Sequence, residues 1–176
     1  MTATSSDSPA PIYLEAVPNP WWLQATIWLG PPAVLLGIVS TWREETGISR
    51  VIGVGLLLLL GAGLVALGVW LAALRIEVTA EALRYRWGPL GATRRWPDVL
   101  EAEVEAYRWQ TYGGWGLRFA SGKRRAYSVP GVRFGVAVRT QDGKRTHLAS
   151  RNPEALCAAI RSRLAPASDG AGGGHE

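Results

Sequence analysis

Few residues of this chain can do nucleophilic or acid–base chemistry. The 176 residues include one cysteine, Cys157, and two histidines, His147 and His175. A catalytic thiol needs a base within hydrogen-bond reach and a group that stabilises an anion. Cys157 follows Leu156 on the apolar side of a predicted helix, where we expect a small buried thiol. We expect His147 at the surface or rim of a strand, close to Arg145, and we predict no enzymatic activity.

Three glutamates, Glu101, Glu103 and Glu105, project from one face of a predicted strand. Alternate residues of a strand lie roughly 6.6–7 Å apart, which is too far for all three carboxylates to hold one cation easily. We expect instead a solvated acidic ladder that pairs with Arg84 and Arg86 on the wet face of another strand. The sequence therefore predicts no metal site.

A glycine-rich segment, Tyr112–Gly116, contains Gly-Gly-Trp-Gly. No Lys-Ser or Lys-Thr pair follows it and no strand–helix–strand unit surrounds it, so a nucleotide-binding loop is not predicted. We predict no cofactor. Glycines at such a place allow sharp turns of the chain. Two alternatives stay open for the aromatic residues: Trp115 packs into the sheet or the bilayer surface, or Tyr112 and Trp115 contact a lipid or a partner.

The most notable run of positive charge is Lys123-Arg124-Arg125. From residue 75 to the end, the chain carries 17 Lys and Arg residues against 10 Asp and Glu residues. A basic residue held beside an anionic leaflet gains about 1 kcal/mol. Lys123, Arg124 and Arg125 are therefore candidates to contact anionic phospholipid headgroups or a protein partner. The alternative is that cytoplasmic segments near membranes are basic whatever they bind.

These candidate residues belong to a chain that combines two kinds of segment. All 33 charged residues lie outside residues 21–42 and 51–74. A helix needs about 20 apolar residues to cross the hydrocarbon core of a bilayer, so each segment predicts a transmembrane helix. Trp21, Trp22 and Trp42 stand at the two ends of the first span, where interfacial tryptophans anchor a helix.

Each predicted span has a feature of its own. Pro31-Pro32 near the middle of the first span predicts a kink, and a re-entrant first segment is the alternative to a full crossing. In the second span, Gly61 and Gly68 offer small surfaces on which a neighbouring helix can pack closely. The alternative for this second segment is a buried helix in a soluble core.

The distribution of basic residues predicts an orientation. The loop over residues 43–50 carries two arginines, whereas five arginines follow closely after the second span. The positive-inside rule therefore places the C-terminal part in the cytoplasm, and two crossings return the N-terminus there. We predict a multi-pass membrane protein with a short extracytoplasmic loop and a flexible N-terminal tail over residues 1–20.

Residues 75–164 predict a β domain that ends with one helix. Apolar and polar residues alternate along several short stretches, such as Phe134–Val138, and strands this short and closely spaced are typically antiparallel. Asp142-Gly143 is typical of a tight hairpin turn. Asn152-Pro153-Glu154 predicts the start of the helix. The glycine-rich residues 165–176 predict a disordered tail.

Six or seven short strands followed by one helix is the order of a pleckstrin-homology-like (PH-like) domain. The layout resembles that of bacterial membrane-anchored proteins that carry such a domain. The resemblance rests on Tyr112-Gly113-Gly114-Trp115-Gly116-Leu117-Arg118, Ala126-Tyr127, Gly135-Val136-Ala137-Val138, Gln141-Asp142-Gly143 and Ala149-Ser150-Arg151-Asn152-Pro153-Glu154-Ala155-Leu156. The start, with Tyr13-Leu14-Glu15 before Pro18 and Trp21-Trp22, is similar to actinobacterial membrane families of unknown function. The resemblance implies a hairpin in the bacterial inner membrane with a PH-like antiparallel sandwich or barrel, and it implies no substrate.

Taken together, these patterns favour a non-catalytic binding module that is anchored in the lipid bilayer and binds a protein partner or anionic lipid headgroups. The alternative is an accessory subunit of a larger membrane assembly, for transport or for the envelope. In that case the small faces of Gly61 and Gly68 would form the surface that contacts the other subunits. Neither span contains a charge, which argues against an autonomous ion path. The membrane anchor argues against nucleic acid as a partner.

Overall fold

The computed structural model describes residues 10–164 of the chain. The predicted C-terminal tail, residues 1–9 of the predicted N-terminal tail and His175 lie outside the described residues. The strands are β1 (Tyr13–Pro18), β2 (Ala73–Val78), β3 (Ala82–Trp87), β4 (Leu90–Arg95), β5 (Val99–Ala106), β6 (Gly116–Ala120), β7 (Arg124–Ser128), β8 (Phe134–Thr140) and β9 (Arg145–Ala149). The helices are α1 (Trp21–Trp28), α2 (Gly30–Glu44), α3 (Gly47–Trp70), α4 (Trp109–Tyr112) and α5 (Pro153–Arg161), and a short 3-10 turn covers Trp96–Asp98.

Two helical segments, Trp21–Glu44 and Gly47–Trp70, are long and apolar enough to cross a membrane. Only 6% of the most apolar window of each segment is buried by the rest of the protein, so α3 is not the core helix of a soluble domain. The first segment breaks at Leu29, because the two prolines occupy the first turn of α2, where their missing amides cost little. This interruption lies just before the position of the predicted kink, and Leu29 itself keeps right-handed helical dihedral angles.

The second helix differs from its predicted bounds of 51–74 at both ends. It begins at Gly47, and it ends at Trp70, because Ala73 and Leu74 already belong to β2. Leu74 is fully buried in the β domain. An apolar run does not reveal where a helix gives way to a buried strand, which is why the predicted span is too long at this end.

The first sheet has the order β1-β2-β3-β4, and all its neighbours are antiparallel. Strand β1 pairs along its whole length with β2, from Tyr13 opposite Val78 to Pro18 opposite Ala73. The structure thus corrects the expectation of a flexible tail over residues 1–20, since 13–18 form a strand. It also adds this strand to the domain predicted over 75–164. The two ends of the helical hairpin are consequently held side by side.

The second sheet has the order β5-β8-β9-β7-β6. Strands β8 and β9 form the hairpin predicted at Asp142-Gly143, and Gly143 adopts the left-handed φ of +74° that this turn requires. Strands β7 and β9 are parallel, which corrects the expectation of antiparallel pairing throughout. The described residues form nine strands in two sheets rather than six or seven, and the sheets do not close into a barrel.

One hydrophobic core joins both sheets and α5. The ring of Tyr85 on β3 meets that of Tyr127 on β7 edge to face, with centroids 4.9 Å apart. Helix α5 contributes Leu156, Cys157 and Ile160, which are all buried. This helix starts at Pro153 as predicted. Its residue before the proline, Asn152, accepts the first helical hydrogen bond through its backbone carbonyl, without a side-chain cap.

Candidate functional site

The junction between the helical hairpin and the first sheet is closed by polar contacts around Leu71. Helix α1 begins three residues after β1 ends, and β2 begins three residues after α3 ends. The side chains of Asn19 and Gln24 both donate to the carbonyl of Leu71, the latter over 3.1 Å. The backbone N–H of Asn19 donates to the backbone carbonyl of Ala72 over 3.0 Å. These bonds fix the helix ends to the sheet, so side chains near them have a defined position.

Two arginines lie directly opposite each other beside this junction. Arg75 on β2 and Arg86 on β3 are register partners on the exposed face of the first sheet. With Trp70 and Gly88 they line a cavity of about 240 Å³ at the end of α3. Glu77 lies 3.8 Å from Arg86, whereas Arg75 has no carboxylate within 4 Å among residues 10–164. Like charges opposite each other destabilise a sheet, and a bound anion would relieve that repulsion.

A second basic site lies beside the start of α1. A cavity of about 440 Å³ is bounded by Pro18 and Pro20 on one side and by Arg133, Phe134 and Arg151 on the other. Both arginines are exposed, and the ring of the phenylalanine is 52% exposed. An exposed aromatic ring next to basic side chains is the composition of a membrane-interface surface. The two cavities therefore place four arginines next to the two ends of the hairpin.

The predicted basic run lies at the other end of the β domain. The Lys123 ammonium donates to the carbonyl of Asp142 over 3.2 Å, and the amide of Gln141 donates to the carbonyl of Asp98 over 2.9 Å. Asp98 follows the last residues of β4. The first residue of β4, Leu90, lies at the opposite end of the strand and follows closely after Gly88, where a Cβ atom would touch Trp70 at the end of α3. Five steps along a strand cover about 17 Å. Lys123, at the start of the run, is thus separated from the helix ends by roughly the length of β4.

The two aromatic residues singled out in the glycine-rich segment differ in exposure. Tyr112 is only 7% exposed and stacks on Tyr107, with ring centroids 5.4 Å apart. Burial, followed by the charge of Glu105, raises the pKa of Tyr112. Trp115 is 49% exposed. Only Trp115 is therefore free to contact a membrane or a partner.

The tryptophans predicted as interface anchors are exposed at the ends of the first span. Trp21 and Trp22 begin α1, and Trp42 lies in the last turn of α2. The guanidinium of Arg50 stands over the Trp42 ring, 5.1 Å from its centroid. Exposed rings at both ends of one apolar segment have the arrangement expected of interfacial anchors.

The two glycines of the second span pack inside the hairpin. A Cβ atom at Gly61 would lie 3.3 Å from Val34, and one at Gly68 would lie 3.2 Å from the Trp28 ring. Close approach between α3 and the first helical segment thus depends on both glycines. Substituting them would disturb the hairpin itself, so it would not report on a further subunit.

The glutamate ladder pairs with other arginines than those expected. Arg139 lies 3.7 Å from Glu101, and Arg145 lies 3.7 Å from Glu103 and 3.3 Å from Glu105. These arginines come from β8 and β9 of the same sheet, whereas Arg84 and Arg86, the expected partners, belong to the first sheet. Alternation along one strand does not identify its neighbours, which explains the difference.

His147 corrects the expectation of a surface or rim residue, because it is fully buried. Its Nδ1 atom lies 3.7 Å from Glu105, too far for a hydrogen bond. The contact with His147 and, to a smaller extent, the charge of the nearby Arg145 lower the pKa of Glu105, whereas burial raises it.

The Cys157 thiol is buried as expected and faces the carbonyl of Ala102 at 3.4 Å. Within residues 10–164, no three His, Cys, Asp or Glu side chains form a group that could hold a metal ion.

The sequence reasoning missed Arg133, Arg151 and the pair Arg75 and Arg86 as site residues. Arg75 was used only to predict orientation, Arg86 was also expected to pair with the glutamate ladder, and Arg133 and Arg151 are isolated basic residues in the sequence. The sequence did contain one indication of the second basic site: a basic residue, Arg133, stands next to an aromatic residue, Phe134, just after the turn residues Pro130-Gly131.

Comparison with protein-family models, curated proteins and solved structures finds no match to this chain.

Proposed function

We propose that this chain is an integral protein of the bacterial inner membrane whose cytoplasmic β domain binds anionic lipid headgroups at the junction with its helical hairpin, without chemistry of its own. Both termini lie in the cytoplasm in this proposal, following the excess of basic residues after the second span. The PH-like relationship of the domain is part of the proposal. Two sheets around one core, with α5 packed against β5 and β8, support it.

The observation that carries the proposal is the pair Arg75 and Arg86 beside Trp70. The two arginines are register partners on neighbouring strands and line one cavity at the end of an apolar helix. The headgroup layer begins where such a helix leaves the hydrocarbon core. Guanidinium groups bind phosphate oxygens by charge-assisted hydrogen bonds, and Trp70 suits the interface. A lipid phosphate between the two arginines would compensate for their mutual repulsion.

Lipid preference of the full-length chain tests the proposal. The protein is purified in an uncharged detergent, and its thermal unfolding is followed with added phosphatidylglycerol or phosphatidylcholine. We expect phosphatidylglycerol to raise the midpoint more, because the ligand binds the folded state. At about 1 kcal/mol for each basic residue, Arg75→Gln/Arg86→Gln should lose about 2 kcal/mol of this stabilisation.

The matched control removes two positive charges from the other end of the domain. Lys123→Gln/Arg125→Gln should keep the full preference for phosphatidylglycerol. Equal midpoints in the two lipids would overturn the proposal. A loss of preference in the control variant, with no loss in Arg75→Gln/Arg86→Gln, would return the lipid contact to the basic run.

A further inference from the structure

The outer face of the second sheet carries a second polar site. The register places Glu103, Ala137, His147 and Ala126 in one row across β5, β8, β9 and β7. The two neighbours of the histidine in this row are small, and all three residues are buried. A Cβ atom at Gly135 would lie 2.7 Å from the His147 Nε2 atom, so this position must also stay small.

The segment between β5 and β6 covers this row. Its Tyr107 ring lies with its centroid 5.0 Å from that of His147, and Tyr112 stacks on Tyr107. The Tyr107 hydroxyl donates to the carbonyl of Gly114, which holds the segment together. Both ring nitrogens of His147 and the Oε2 atom of Glu105 are buried without a hydrogen-bond partner in the part of the chain that the structure describes. Glu105 also lines the cavity beside this segment, whereas His147 lies beneath it, fully buried.

A cavity of about 280 Å³ opens beside this segment. Its lining includes three arginines but only one acidic residue, and it also includes a threonine. The charged and hydroxyl-bearing residues of the lining are Glu105, Arg108, Thr111, Tyr112, Arg124 and Arg145. Arg145 already contacts Glu103 and Glu105. Arg108 and Arg124 are exposed and have no carboxylate within 4 Å among residues 10–164. Two guanidinium groups are therefore available to an incoming anion.

We propose that this cavity binds the phosphate group of a phosphomonoester, with Arg108 and Arg124 donating to its oxygens. The paired N–H donors of a guanidinium group match the oxygens of a phosphate in geometry. The two positive charges of Arg108 and Arg124 match the double negative charge of a phosphomonoester. The salt bridges of Arg145 to Glu103 and Glu105 hold its guanidinium at the cavity wall. Thr111 supplies a hydroxyl donor. The cavity volume leaves space for the group that is esterified to the phosphate.

This site goes beyond the proposed contact with the bilayer, because it uses other residues on the other sheet. Its ligand has two sources with the same chemistry: a soluble phosphomonoester and the headgroup of phosphatidic acid. The experiment measures binding of inorganic phosphate, glycerol 3-phosphate and phosphatidic acid in mixed micelles to the full-length chain by titration calorimetry at constant ionic strength. Saturation by glycerol 3-phosphate assigns a soluble ligand, and saturation by phosphatidic acid alone assigns the lipid headgroup.

Two double variants that each lose two positive charges distinguish binding in this cavity from nonspecific electrostatic attraction of anions to a basic protein. Arg108→Gln/Arg124→Gln should weaken binding at least tenfold, whereas Arg84→Gln/Arg95→Gln, which removes two exposed arginines of the first sheet that line neither this cavity nor the one beside Trp70, should bind like the native chain. Should the first variant fail to fold, Arg124→Lys, which keeps the charge and loses the paired N–H donors, should still weaken binding severalfold. The proposal is overturned if none of the three compounds binds at millimolar concentration, or if the variants at Arg108 and Arg124 bind like the native chain.

Discussion

The carboxylate of Glu15 joins the N-terminal strand to the segment between β9 and α5, and its removal should weaken the attachment of β1. It accepts hydrogen bonds from the Ser150 hydroxyl at 2.6 Å, the Arg151 amide at 2.7 Å and the Tyr13 hydroxyl at 2.8 Å. Burial, aided by the bond to Glu15, raises the pKa of Tyr13 to about 12. These bonds join β1 to the residues between β9 and α5, 135 positions away in sequence from Glu15 to Ser150.

The expected cost of Glu15→Ala follows from these three bonds. A hydrogen bond to a charged group contributes about 1.5–3 kcal/mol, but water replaces part of it where the donor is exposed. Arg151 is exposed and Tyr13 is half-buried, so we expect a total loss of about 2 kcal/mol rather than the sum. For a chain of this length, that corresponds to a midpoint lower by about 4–8 °C.

Thermal unfolding of the full-length chain in detergent, followed by tryptophan fluorescence, measures this loss. Glu81→Ala is the matched control, because Glu81 is an exposed glutamate whose side chain forms no hydrogen bond or ion pair with residues 10–164. We expect Glu81→Ala to unfold within about 1 °C of the native chain. Equal midpoints for Glu15→Ala and Glu81→Ala would refute the reasoning that Glu15 stabilises the pairing of β1.

Three further substitutions test other parts of the structure. Gly135→Ala should destabilise the second sheet by about 1–3 kcal/mol in urea unfolding, because its Cβ would lie 2.2 Å from the Leu148 carbonyl oxygen. Glu105 has a lowered pKa in the folded state, so its contribution to stability is present above the ordinary glutamate pKa and is lost as pH falls through the folded-state value. Glu105→Gln should therefore reduce the acid dependence of the unfolding midpoint, and an unchanged dependence would contradict the contact with His147. Gly68→Leu should separate the two helical segments, which a cysteine cross-linking assay across the hairpin would detect as a lower yield.

The sequence pattern predicted the elements whose periodicity is local. The apolar segments form the two long apolar helical segments, Phe134–Val138 lies in β8, and Asp142-Gly143 forms its hairpin turn. Strand β1 was missed, because six residues in front of an apolar segment carry little periodic signal of their own. Its partner β2 follows only after the whole hairpin, and such a distant pairing depends on tertiary structure.

The site was harder to predict than the fold, because a basic surface on a β domain does not follow from a basic run in the sequence. Neighbouring residues of a strand point to opposite faces, so Arg124 and Arg125, the first two residues of β7, cannot belong to one surface. Arg124 lies on the cavity wall with Arg145, whereas Arg125 stands over the ring of Phe119. Arg75 and Arg86 are eleven positions apart and become opposite partners only through the register of β2 and β3. In this fold, residues that are distant in the sequence come to share a candidate anion site either through strand register, as at Arg75/Arg86, or through the segment between β5 and β6, as at Arg108/Arg124, and the paired substitutions test each site.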